Sequence, residues 1–269
     1  MKRNGFTLVE LLIVVVLGGL VLAAIFQVLV SNQQIYTRQS QAVMGQQTVR
    51  GGIEYLSQEI REISPAGGDI LGIDEDRFEM RVMRKVGVAC EAVDDNGAVR
   101  VTVALPGQRF VPDESVVLFY NSGSGDPEDD AFAEGVVSGE SAAGTPDQCG
   151  GEATRRVTVG SLNPSVNASQ VGAGALLRSV ETVTYTPVVL DGETYLGRRI
   201  GGGTTEPLVG PIAATDGLVF EYFDVNGDPT TTPNDVRSVR VTLRTISQAR
   251  DQRGQPIEES LSVIVNPRN

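Results

Sequence analysis

Apolar side chains follow one another along residues 6–30 without the polar gaps of a solvated helix face, and residues 11–26 carry no charge and no amide. As a helix this stretch is ~37 Å long, enough to span a ~30 Å hydrocarbon core. The pattern then changes. Val49, Ile53, Leu56, Ile60 and Ile63 recur at spacings of four, three, four and three, with Arg50, Glu54, Gln58, Arg61 and Glu62 between them. That spacing predicts an amphipathic helix with one buried face. Ser64-Pro65 and Gly67-Gly68 end it, because the residue before proline is driven out of the α region. The two stretches read as one helix from Phe6 to Ser64, ~88 Å if unbroken. Gly18-Gly19 and Gly51-Gly52 are its weak points, each glycine costing ~1 kcal/mol relative to alanine.

From Asp69 onward the period is two. "RFEMRVM" sets Phe78, Met80 and Val82 on one side, and "AVRVTVAL" (98–105) alternates Val99, Val101, Val103 and Leu105 against Arg100, Thr102 and Ala104. "SVVLFY" (115–120) reads as a buried strand. "VTYTPVVLDGETYLGRRI" reads as a hairpin turning at Asp191-Gly192, a type I′ signal. "LVFEYFD" (218–224) pairs with "VRSVRVTLRT" (236–245), and "LSVIV" (261–265) returns to the same sheet. The Gly-, Ser- and acid-rich stretch 121–154 reads as a long surface loop. The expected fold class is α+β, an antiparallel sheet in a β-rich domain (65–269) wrapped against the Val49–Ile63 stripe of an amphipathic helix (31–64).

Composition narrows the chemistry. The formal net charge is −12, so bulk binding to nucleic acid, which rests on Lys and Arg neutralising phosphates, is not expected. The chain contains no histidine. That removes Ser-His-Asp triads, Cys-His dyads, His-ligated zinc and the commonest general base. No catalytic constellation, enzyme activity or cofactor is expected. Cys90 and Cys149 are candidates for a disulfide in an exported domain, with two unpaired thiols as the other reading. Pairing would close a loop worth about 4 kcal/mol in the chain-entropy account.

Glu10 sits near the start of the apolar run. A charge at the bilayer centre costs about 2.5–3.5 kcal/mol on insertion scales. A cleaved secretory signal with "VLAA" (21–24) as its cleavage site is one reading, and the carboxylate weakens it. A plain signal anchor explains the length and not Glu10. The third reading takes in the whole string. Lys2 and Arg3, then "GFTLVE" from Gly5 to Glu10, then the uninterrupted apolar run resemble the N-terminus of type IV prepilins and type II secretion pseudopilins. The resemblance implies a leader of residues 1–5, cut after Gly5 by prepilin peptidase and followed by N-methylation of Phe6. Residues 6–30 would then serve as membrane anchor and filament core, under a type IV pilin-like fold. It also implies that Glu10 faces the N-terminal amine of a neighbour's Phe6 in the filament. The basic residues before the run place the N-terminus in the cytoplasm and the domain outside the inner membrane.

"DGLVFEYFDVNGDP…VRSVRVTLRT" and "SNQQIYTRQ" also resemble PilW-type minor pilins, with GspJ-type pseudopilins as the neighbouring family. The implied role is to initiate or prime pilus assembly, with other minor and major pilins as partners. The alternative is a pseudopilin of a secretion machine. From another class comes a membrane-anchored adhesin or binding module.

Four further strings resemble known motifs. Asp224, Asn226 and Asp228 match the opening of a calcium loop, D-x-N-x-D, but Pro229 stands where glycine is expected and no glutamate follows at the twelfth position. A hairpin turn is the preferred reading there. "GRRIGGGTTEP" (197–207) does not join a strand to a helix, as a phosphate loop requires, and Glu128, Asp129 and Asp130 read as solvated loop. "NAS" (167–169) matches a glycosylation triplet by coincidence.

Overall fold

The computed structural model describes residues 8–104, 109–121, 131–144, 149, 154–250 and 254–267. One long helix and antiparallel strands make an α+β protein. Helix α1 spans Leu8–Glu62, 55 residues or ~82 Å, and runs through both glycine pairs without a break. Its stripe meets the sheets as the spacing predicts: Val49, Ile53, Leu56, Ile60 and, just beyond the helix, Ile63 are all buried. Past Glu62 the chain reverses through Pro65, with the Gly68 amide bonded to the Pro65 carbonyl at 2.9 Å. Gly68 has φ +70°, a conformation that favours a residue without Cβ.

Two sheets follow. The larger holds β1 (Ile70–Ile73), β2 (Phe78–Asp95), β3 (Ala98–Ala104), β4 (Ser115–Tyr120), β5 (Ala131–Gly144), β6 (Thr154–Asn163), β7 (Leu176–Leu190), β8 (Glu193–Ile200) and β9 (Glu206–Ile212). The smaller holds β10 (Leu218–Phe223), β11 (Ser238–Arg250) and β12 (Pro256–Val265), in that order. The β7–β8 turn falls at Asp191 and Gly192, whose φ values of 52° and 82° are those of a type I′ turn. The hairpins predicted for 218–245 and the return of 261–265 are present in register, with Leu218 opposite Leu243 and Leu243 opposite Leu261.

The single wrapped sheet expected from the sequence is instead two sheets enclosing two cores. In the larger sheet the pairings β2–β3, β3–β6, β6–β5, β5–β4, β4–β7 and β7–β2 return to their starting strand, so six strands close into a small barrel. Its interior is filled by short side chains, among them Val101, Val103, Val137, Val157 and Leu177, with Phe110. Closure removes the exposed edges that a six-stranded ribbon would carry. The first half of β2 and the second half of β7 run on beyond the barrel and, with β8 and β9, face α1 and the smaller sheet. Phe78, Met80, Val183, Tyr185, Leu196, Phe220, Val241 and Leu243 join the α1 stripe in this second core.

The loop expected over 121–154 is corrected in part. Residues 131–144 are strand β5, paired on both sides with β4 and β6. Its alternation is carried by Ala133, Gly135 and Val137 facing inward and Glu134, Val136 and Ser138 facing out. Small side chains and three register shifts against β6 hide that period in the sequence. Residues 122–130, 145–148 and 150–153 lie outside the described residues.

A charge cluster joins the end of α1 to the strands common to both cores. The Asp69 carboxylate, 2% exposed, accepts the Ser64 amide at 2.8 Å and Arg178 Nη1 at 3.1 Å, and lies 3.6 Å from Arg81 Nε. Arg81, on β2, donates to the Gly67 and Gly68 carbonyls and pairs with Glu134 on β5. Arg178, on β7, lies over the Phe132 ring at 4.8 Å. One helical turn earlier, Glu59 binds Arg84 at 2.9 Å and accepts the Tyr185 hydroxyl at 2.9 Å. Burial and then the Glu59 charge push the Tyr185 phenol far up, so it stays a donor.

The glycines flagged as weak points divide by face. A Cβ on Gly52 would lie 2.5 Å from Leu243 Cδ1, and one on Gly45 would lie 2.9 Å from Thr245 Oγ1. Gly51 has nothing within 4 Å of such an atom. Gly52→Val is expected to lower stability by ~1–3 kcal/mol through overpacking. Gly51→Ala is expected to raise it by up to ~1 kcal/mol through helix propensity. Denaturation of the detergent-solubilised chain, followed by circular dichroism, reads both. Equal effects at the two positions contradict the assigned faces.

Candidate functional site

The first half of α1 is built for an environment that the rest of the chain does not supply. Every described residue from Leu8 to Val30 is exposed. Large apolar side chains on all sides, such as Leu12, Val15, Leu22 and Phe26, remain more than half exposed. This segment is ~35 Å long and apolar enough to cross a membrane. Removing an apolar side chain from water is worth about 1.5–3 kcal/mol, so covering this surface is worth tens of kcal/mol. The ~3 kcal/mol penalty of one carboxylate in lipid is small beside that. Insertion therefore survives Glu10.

Glu10 lies in the first turn of α1, where the exposed backbone amides of the helix end favour a carboxylate. Gly5 and Phe6, the predicted processing pair, lie outside the described residues.

Cys90, on β2, and Cys149 are joined by a disulfide with Cα atoms 5.3 Å apart, spanning 59 positions. It fastens the connection between β5 and β6 to the barrel wall. The calcium candidate resolves into a turn. The Asp224 Oδ1 atom accepts the Asn226 amide at 2.8 Å and the Asp228 amide at 2.9 Å. Asp224 thus caps the chain reversal between β10 and the residues preceding β11. The Asp228 amide, with those of Asn226 and Gly227, holds the Asp224 carboxyl below its ordinary value, against a weaker opposing effect of burial. Among the described residues no group of three or more His, Cys, Asp or Glu side chains is placed to hold a metal. The Gly-rich string 197–207 is the β8–β9 hairpin, so it joins two strands and no helix. Glu128, Asp129 and Asp130 lie outside the described residues.

The sequence reading missed the residues that aim the helix. Gly45 and Gly52 are seven apart and so share the face that meets β11; that spacing was a usable signal. Asp69, just before β1, and Arg81 and Arg178, in β2 and β7, had no such signal, because isolated charges in turns and alternating strands look like solvent-facing positions.

Residues 1–26 match the prokaryotic N-terminal methylation motif. No curated protein and no solved structure matches the chain. The match takes in Glu10 and most of the apolar run, so the chain carries a prepilin-type N-terminus ahead of its β-rich domain.

The Asp224 turn generates a pH prediction. Because the folded carboxyl titrates below its unfolded value of ~3.9, its contribution is complete above that value and is lost as the pH falls through the folded value. Asp224→Ala is expected to lower the thermal midpoint at pH 7, with the gap to the parent chain closing as the pH falls below about 4. A gap that persists unchanged at acid pH contradicts the capping role.

Proposed function

We propose that this chain is a minor pilin of the PilW type, processed at Gly5-Phe6, held in the inner membrane by residues 6–30 and incorporated into a type IV pilus, where it helps prime assembly. The observation that carries the reading is Glu10, a carboxylate in register with the methylation motif on a helix whose surrounding surface is apolar and exposed. Processing frees an ammonium at Phe6, and methylation leaves its charge in place. A buried charge without a partner is strongly unfavourable, and a paired one is tolerated. In a filament core a neighbour's Phe6 amine would face the Glu10 carboxylate and fix one axial register. It contributes specificity more than stability.

The β-rich domain supports the same reading. Its strands cover only the second half of α1, leaving the first half for lipid and then for other helices. Lys2 and Arg3 keep the N-terminus cytoplasmic, so the domain and its disulfide face an oxidising compartment. Prepilin peptidase and other pilins are the partners this function requires.

Mass spectrometry of the purified chain tests processing, with N-methylated Phe6 expected as the first residue. A start at Ala24 overturns the reading in favour of a secretory signal. Glu10→Ala is expected to leave cleavage after Gly5 intact and to cut recovery in sheared pili by roughly tenfold, the price of about 1.4 kcal/mol of docking energy. Normal incorporation of that variant contradicts the docking role.

A further inference from the structure

The outer strand of a sheet turns a backbone donor and acceptor outward at every second residue, and folded proteins cover or blunt such edges. Among the described residues the two sheets end on β1, β9, β10 and β12. The chain itself deals with the first three. Strand β9 carries Pro207 and Pro211, which have no N–H to offer. Along β10 the Phe220 amide donates to the Glu75 carbonyl at 2.7 Å, and the Tyr222 carbonyl accepts the Thr230 amide at 2.9 Å. Strand β1 is four residues long, and its register against β2 shifts within that length.

Strand β12 differs on each count. It pairs with β11 from Glu258 to Val265 without a shift, and after Pro256 it holds no proline, glycine or lysine. The direction of its free groups follows from the next strand in. The Arg244 amide donates to the Gly217 carbonyl at 2.9 Å, and the Arg244 carbonyl accepts the Ala213 amide at 2.7 Å. Arg244 therefore turns both backbone groups away from β12, and Ser260, opposite it, turns both of its own away from β11. By alternation Glu258, Ser262 and Ile264 do the same. Among the described residues no other backbone segment pairs with them.

The side chains along this edge are also incompletely covered. Leu261 and Val263 face the second core and pack against it, yet stay only partly buried. Ile264, on the outer face, is 54% exposed. At the other end stand Glu258 and Glu259. Arg244 lies 4.0 Å from Glu258 and 3.8 Å from Asp216, so one cation serves three carboxylates and that end stays acidic.

An alternating row of main-chain donors and acceptors is matched by another extended main chain. We propose that β12 takes up an extended segment of another protein, antiparallel, as a fourth strand of the smaller sheet. The edge specifies that segment's chemistry. Apolar residues would lie opposite Leu261 and Val263, small polar ones opposite Ser260 and Ser262, and a Lys or Arg at its C-terminal end opposite Glu258. A second copy's β12 fits poorly. Ser247 meets Gln41, and Gly52 lies beside Leu243, so β11 runs back along α1 and β12 runs with it. Antiparallel pairing of two such edges would send the two apolar helix segments in opposite directions, which one membrane does not allow. The edge is the same whichever machine the chain serves, so nothing in this docking depends on Glu10 or on processing after Gly5.

The probe is a capped, fluorescent peptide reading Thr-Val-Thr-Val-Thr-Val-Lys, titrated with the full-length chain in detergent and followed by anisotropy. Saturable binding is expected. N-methylation of the Thr residues, whose N–H groups would face β12, is expected to weaken binding roughly tenfold or more, and N-methylation of the Val residues, whose N–H groups face away, to change it little. Glu in place of the peptide's Lys is expected to weaken it roughly threefold. Ser260→Pro removes an outward N–H and no ladder bond, and is expected to cost roughly tenfold in affinity with an unchanged circular dichroism spectrum. Absence of saturable binding overturns the proposal, and so do equal effects of the two methylation patterns, which decide the matter should Ser260→Pro fail to fold. Self-association of the chain that Ser260→Pro abolishes overturns it in favour of a second copy. The mature N-terminus plays no part in these readouts, so their failure leaves the assembly reading standing, and the reverse holds too.

Discussion

The Asp69 carboxylate is the point on which both halves of the domain converge. It is buried where α1 ends, and the arginines that meet it come from β2 and β7. Among the described residues these two strands alone run through both cores, closing the barrel at one end and facing the helix at the other. Two cations and one carboxylate would leave buried excess charge, and Glu134 on β5 offsets it from the rim. Buried ion pairs seldom add net stability over apolar packing, but breaking one leaves an uncompensated charge worth roughly 3–5 kcal/mol. The cluster therefore acts as a constraint. It admits one placement of the helix end relative to the barrel, and the apolar stripe above it then has one face to fill.

Given that placement, the packing of α1 follows from size. Leu56 and Ile60 fill the space between the sheets, while Gly45 and Gly52 let β11 approach where any Cβ would collide. Glycine inside a helix is costly by propensity, and here close contact with Leu243 and Thr245 offsets the cost. Helix rotation is thereby fixed at two positions one heptad apart. The direction of every side chain farther down the rod, Glu10 included, is set by contacts tens of ångströms away.

What the sequence made legible tracks periodicity. The stripe at Val49–Ile63, the alternating Val99–Val103 strand and the Asp191-Gly192 turn were readable because each pattern is local and its residues are strong formers of that structure. Glu10 was readable because a charge in an apolar run has no local explanation. Barrel closure was not, since β7–β2 pairing joins positions ~100 residues apart and no local pattern encodes it. Strand β5 was lost because Ala, Gly and Ser show no contrast between inward and outward positions. The Asp69 cluster was invisible for a related reason: burial of an ion pair is a property of the fold, and Arg81 and Arg178 occupy positions that in an open sheet would face water.

The rod has two supported ends and an unsupported middle. Residues 41–63 are held by the sheets, and 8–30 would be held by lipid or by other helices. Between them Ser31, Asn32 and Thr37 are exposed, with side chains of middling or poor helix propensity. A helix of that length and composition is marginal in water alone, so its helicity depends on continuity with the segments above and below. This is where bending between anchor and domain costs least.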